Sequence, residues 1–138
     1  MTNKDYIAIV QCHIVKERCS GYLCEQSFNE RKGAFSDYAK DKNYRTLYLT
    51  CGGCCGRAIH RKLKHLVSTI GKKEGMEKAK IVVQFSSCIT KDNYHGPPCP
   101  HLDYLRIMVK DKLGLDLREG TVVVKTSQER RAKGLYDS

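Results

Sequence analysis

Apolar positions along this chain follow two rhythms. Short unbroken runs at 6–10, 45–50, 80–85 and 121–124 are rich in β-branched and aromatic residues. They read as strands, and the first, with Ile7, Ala8, Ile9 and Val10, reads as one buried on both faces. Between the runs, apolar residues recur at helical spacing. Tyr22, Leu23, Cys24 and Phe28 mark a first helix over 22–31, with Ser20 as its expected N-cap and Gly33 beyond its end. Phe35, Tyr38 and Ala39 suggest a further turn or two. Ile59, Leu63, Leu66, Val67 and Ile70 mark a second helix over 57–70, followed by Gly71 and Gly75. Leu102, Leu105, Val109 and Leu113, with Met108 beside them, mark a third, opened by Pro100 and closed by Gly114.

Strand, helix, strand, helix, strand, helix, strand is the pattern of a parallel sheet joined by right-handed crossovers. The expected fold is α/β: a small single-domain three-layer sandwich, a mostly parallel sheet of about four strands in the flavodoxin-like order 2-1-3-4, with helices on both faces. Residues 1–126 form the domain and 127–138 a charged tail. Ligands of such sheets bind outside the carboxyl ends of the strands.

Composition changes that picture at one point. Eight cysteines are many for 138 residues. The opening residues 1–5 lack the zones of a signal peptide, and no apolar run reaches bilayer length, so a cytoplasmic location without membrane contact is expected. There, cysteines in such number point to metal, cluster or thiol chemistry rather than to a disulfide scaffold. The topology sends them to one rim. Cys12, Cys51 and Cys88 each end a different strand, and the order 2-1-3 makes those strands neighbours. Cys54, Cys55 and Cys99 lie on loops and helix starts at the same edge, and Cys19 and Cys24 lie just past the first strand.

The net charge of +10 concerns solubility and steering. Arg61, Lys62 and Lys64 fall opposite the apolar stripe of the second helix, so a solvated face is the simpler reading. Nucleic acid is disfavoured as a partner, while an anionic ligand stays open. The expected partners are a metal ion or cluster and a protein that the residues do not identify.

Between the second strand and second helix lies Cys51-Gly52-Gly53-Cys54-Cys55-Gly56-Arg57. Glycines let this loop turn sharply, and a helix start offers backbone N–H groups to anions. Four chemistries fit it. Zinc takes four Cys or His ligands, often with a Cys-x2-Cys pair supplying two, and iron–sulfur clusters take four thiolates. Cys12, Cys51, Cys54, Cys88 and Cys99 are the candidate ligands, with Cys19, Cys24, Cys55 and His101 as further ligands or supporting groups, and Gly52, Gly53 and Arg57 shaping an anion-binding loop. The same metal could serve only to hold loops together. Alternatively, Cys51 and Cys54 form a thiol–disulfide pair, the helix start lowering the pKa of Cys51. Cys51 and Arg57 also have the Cys-x5-Arg spacing of small phosphatases and arsenate reductases. Whether the protein is an enzyme stays open. His13, if the strand continues, faces the opposite side; His95 sits in a Pro/Gly loop; His60 and His65 have solvated or packing roles.

Cys12, the stretch Cys19-Ser20-Gly21-Tyr22-Leu23-Cys24, Gly33-Ala34-Phe35 with Tyr38, Cys51-Gly52-Gly53-Cys54, Gly56-Arg57, Ser87-Cys88-Ile89 and Cys99-Pro100-His101 together resemble the CGGC-domain family over about residues 6–126. The resemblance implies a Cys-rich metal-binding α/β domain, with zinc suggested by the family's Cys and His content. Two positions depart from the family pattern. Cys55 stands where Pro is common, and Lys125-Thr126-Ser127 stands where the family often has Gly-Thr-His.

Overall fold

The computed structural model describes residues 3–17, 19–53, 56–90 and 99–121. Its sheet contains β1 (Tyr6–Gln11), β2 (Arg45–Thr50), β3 (Ile81–Phe85) and β4 (Asp116–Glu119), in the order β2-β1-β3-β4. Every pairing is parallel, with Gln11 opposite Thr50 and Val10 opposite Phe85. The sheet order and the α/β class are those expected from the strand–helix alternation.

Side-chain parity divides the core. Tyr6, Ala8 and Val10 of β1 and Ile81, Val83 and Phe85 of β3 face one side. There α2 (Arg57–Glu74) packs Ile59, Leu63 and Ile70 against them, and Leu105 and Val109 come from the last helical segment. Ile7, Ile9 and Val82 face the other side. That side is sealed by Phe28 of α1 (Tyr22–Asn29) and by Phe35, Tyr38 and Tyr44, whose rings meet mostly edge-on 5.3–6.3 Å apart. Such contacts add about 1 kcal/mol each beyond burial. A buried polar thread runs through this layer: the Tyr38 hydroxyl donates to Gln84 Oε1 (2.8 Å), and Gln84 Nε2 donates to the Gly120 carbonyl (2.6 Å).

Several local expectations are revised. The fourth strand runs over Asp116–Glu119, before the valine run. As an edge strand it is only half covered, so alternating charged and apolar residues suffice and no apolar run marks it. Thr121 is buried just past its end, and 122–124, like the tail 127–138, lie outside the described residues. Ser20 is not the N-cap of α1; Gly21 takes that position with a left-handed backbone, while Ser20 Oγ accepts from Tyr22 N–H (3.3 Å). Beyond β3, a single helical turn, α3 (Ser87–Thr90), carries Cys88. The last helix is short, α4 (Leu102–Arg106), and widens into a π-helix over Ile107–Lys112.

Candidate functional site

Three cysteines sit close together where β1, β2 and β3 end. β1 and β2 are in register, so Cys12 and Cys51 leave neighbouring strands side by side, and Cys51 N–H donates to the Gln11 carbonyl (3.1 Å). Both are almost fully buried. The Cys51 thiol hydrogen-bonds to the Cys12 sulfur. From β3, Ser86 N–H donates to the Val10 carbonyl (2.9 Å), which brings the α3 turn beside β1. Cys12 N–H then donates to Cys88 Sγ (3.3 Å), and Ser86 Oγ shares a hydrogen bond with the same sulfur (2.7 Å). Ser86 and Thr121 are polar members of this rim that periodicity did not mark. Cys24 reaches it from α1, its sulfur 3.2 Å from Thr121 Oγ1, and Thr121 in turn bonds Ser87 N–H (3.1 Å).

Environment favours the protonated thiol at Cys51 and Cys88. The hydrogen bond to Cys12 and then burial raise the Cys51 pKa well above the ordinary thiol range, outweighing backbone N–H groups at His13 and Gly53 that face its sulfur. Burial pushes Cys88 up to about 11, against the opposing hydrogen bonds from Ser86 and the Cys12 N–H. The expected lowering at Cys51 is therefore reversed. The backbone N–H groups that face the Cys51 sulfur are those of His13 and Gly53, and a second thiol, Cys12, adjoins it. A phosphatase-like nucleophile would need an accessible thiolate, and this sulfur is almost fully buried with its pKa pushed up.

The loop glycines have a steric cause. Gly52 and Gly53 have φ of 84° and 74°, and a Cβ on Gly52 would lie 2.3 Å from that of Ala58. The loop thus folds directly onto the first turn of α2. A Cβ on Gly53 would meet the His13 ring at 3.3 Å. His13 is consequently on this rim, its Nδ1 3.2 Å from Thr50 Oγ1, and not on the opposite side. β1 has already ended at Gln11, so strand alternation does not reach it.

The other candidates spread outward. Cys19 and Cys99 are half-buried at the margin of the same apolar layer. Gly21 N–H donates to Cys19 Sγ (3.4 Å), and Cys99 N–H to the Ile89 carbonyl (3.0 Å), one residue from Cys88. His101 is exposed at the start of α4, and Arg57 is exposed on α2. Cys54, Cys55 and His95 lie outside the described residues. Among the described residues, the thiols touch pairwise, and no three His, Cys, Asp or Glu side chains gather as a metal ion would require. The donor chemistry fits a thiophilic metal. The described donors alone do not close a site.

Residues 6–122 match the CGGC domain. The chain belongs to the CGGC-domain family. It is also 28% identical over 109 residues to an uncharacterized protein of Methanocaldococcus jannaschii, a match spanning 75% of this chain and 74% of that one. No solved structure matches. Among the described residues, no helix is long and apolar enough to cross a membrane.

Proposed function

We propose that this CGGC domain binds a thiophilic metal, zinc or an iron–sulfur cluster, at the carboxyl rim of its sheet. Cys12, Cys51 and Cys88 form the wall of the site, and Cys54 and Cys99 complete the ligand set. Cys19, Cys24, Cys55 and His101 are the reserve of further ligands or supporting groups, and Gly52 and Gly53 let the loop approach. The observation that carries this reading is the contact of three cysteines from three neighbouring strand ends, linked Cys51 to Cys12 to Cys88. Bound zinc would supply a fixed cross-link or a Lewis acid, and a cluster would supply a one-electron centre. The chain's own part is to hold soft donors on rigid strand ends and to shield them under α2 and the segment beyond α4.

Anaerobic purification followed by elemental analysis and an absorption spectrum tests it. About one metal equivalent per chain is expected, colourless if zinc and coloured if a cluster. Metal-free protein with every thiol titratable after denaturation overturns the reading.

The adjacency of Cys51 and Cys12 favours a second reading, thiol–disulfide exchange, which requires the rim to open and expose the pair. In it, Cys12 and Cys51 lose two electrons and two protons to a disulfide acceptor, which leaves as two thiols. Cys54, the partner expected for Cys51, lies outside the described residues, and the described neighbour of Cys51 is Cys12. Insulin reduction by the wild type but not by Cys12→Ser would support it.

A further inference from the structure

A groove of about 800 Å³ runs along the outer face of α2 and is walled on its far side by the π-helix. Arg57, Arg61 and Lys64 line it at i, i+4 and i+7, one face of the helix, and cover roughly 10 Å of its length. Lys112 and Met108 reach it from the π-helix, a distortion often found at binding sites. Among the described residues, no carboxylate lines the groove. From Arg57 to Lys73, α2 contains no acidic residue.

The described arginines divide sharply. Arg45, Arg106 and Arg118 pair with carboxylates, and Arg31 donates to the carbonyls of Phe28, Ala39 and Lys42. Among the described residues, Arg57 and Arg61 have no such partner, and neither Lys64 nor Lys112 is in an ion pair. Lys62, on the other flank of α2, is instead held by the Thr50 carbonyl (2.8 Å). The two described arginines without such a partner thus share one concave place with Lys64 and Lys112.

Holding like charges together is unfavourable unless an anion joins them. Two guanidinium groups and one ammonium group along about 10 Å of α2, with a second ammonium group across the groove, call for several negative charges in a short span. Guanidinium groups match phosphate oxygens two at a time. A single phosphate reaches one or two of these groups, whereas a chain of two or three phosphoryl groups reaches along the row. Among the described residues the groove has no Phe, Tyr or Trp, and its rings are the imidazoles of His60 and His65.

We propose that this groove binds a linear polyphosphate of two or three phosphoryl groups, through Arg57, Arg61, Lys64 and Lys112. Binding here does not require metal at the thiol rim. Calorimetric titration of the full-length protein with inorganic tripolyphosphate, a nucleoside triphosphate and orthophosphate tests it. Metal content is measured before and after, since polyphosphates chelate. Tripolyphosphate is expected to bind at least about tenfold tighter than orthophosphate. Equal affinity for the nucleoside triphosphate assigns recognition to the phosphate chain alone, and tighter binding assigns a nucleotide as its source. Arg61→Ala/Lys64→Ala is expected to weaken binding about tenfold or more, the loss of charge-assisted hydrogen bonds. Lys40→Ala/Lys72→Ala, which removes the same charge outside the groove, leaves it within about twofold. The proposal is overturned by equal weakening in both double variants, by no preference over orthophosphate, by heat that tracks metal lost from the protein, or by a single-stranded oligonucleotide that outcompetes tripolyphosphate at these residues.

Discussion

The two ends of the same sheet are built from different chemistry. At the amino end, charge and backbone hold the strands. The buried Lys4 ammonium pairs with Asp116 at the start of β4 and donates to the Ala79 carbonyl (2.7 Å). Asp5, just before β1, accepts from Lys42 (2.8 Å), and Arg45 at the start of β2 pairs with Glu74 at the end of α2. At the carboxyl end, β1, β2 and β3 finish in cysteines that bond to one another, to Ser86 and to backbone N–H groups. The amino end is already satisfied by the groups it contains. The carboxyl end gathers soft donors that a metal would use better than they use each other. The difference separates the part of the molecule that maintains the fold from the part that can act.

Substitutions at the two ends should therefore read out on different scales. Cys51→Ser has the largest expected effect: zinc affinity falls more than about a hundredfold, beyond what losing a supporting group does. The metal-free protein loses only about 1 kcal/mol, because serine keeps a hydrogen-bonding group there. Competition with a chromogenic zinc chelator and urea unfolding measure the two. An equal loss of stability and an unchanged affinity would erase the distinction between the ends.

Asp116→Ala comes next. It strips a buried ammonium of its carboxylate and should cost about 2 kcal/mol in urea unfolding. Metal content per folded chain should be unchanged.

Asp5→Asn should be the smallest, and its sign depends on pH. The hydrogen bond from Lys42 holds the Asp5 carboxyl below its ordinary value of 3.8. Its stabilising contribution is therefore present above that ordinary value and is lost as pH falls through the lower folded value. The wild type should be slightly the more stable at pH 7, and the two melting temperatures should converge as the solution is acidified below the carboxylate range. A gap that persists at pH 2 would show that the substitution acts through packing and not charge.

Much of this organisation is legible in the residues. The seven-element alternation fixes a parallel sheet, and Cys12, Cys51 and Cys88 follow three apolar runs so closely that their proximity is a consequence of strand order. What the sequence hides has physical reasons. β4 carries Asp116, Arg118 and Glu119 because an edge strand does not need two apolar faces. His13 escapes the strand's alternation because the strand ends two residues earlier. The ionisation of Cys51 depends on a sulfur thirty-nine positions away in sequence, which periodicity does not report. Nor does spacing along α2 show that the π-helix closes a groove over its cations. That wall depends on the tight seat of Gly56, where a Cβ would lie 3.1 Å from Met108.

The central claim is that the cysteine rim, and no other part of the chain, is the metal ligand set. X-ray absorption at the metal edge of anaerobically purified protein measures that directly. The expected spectrum is dominated by sulfur, at about 2.3 Å if the metal is zinc, with three or more sulfur neighbours. A shell of nitrogen and oxygen alone would contradict it.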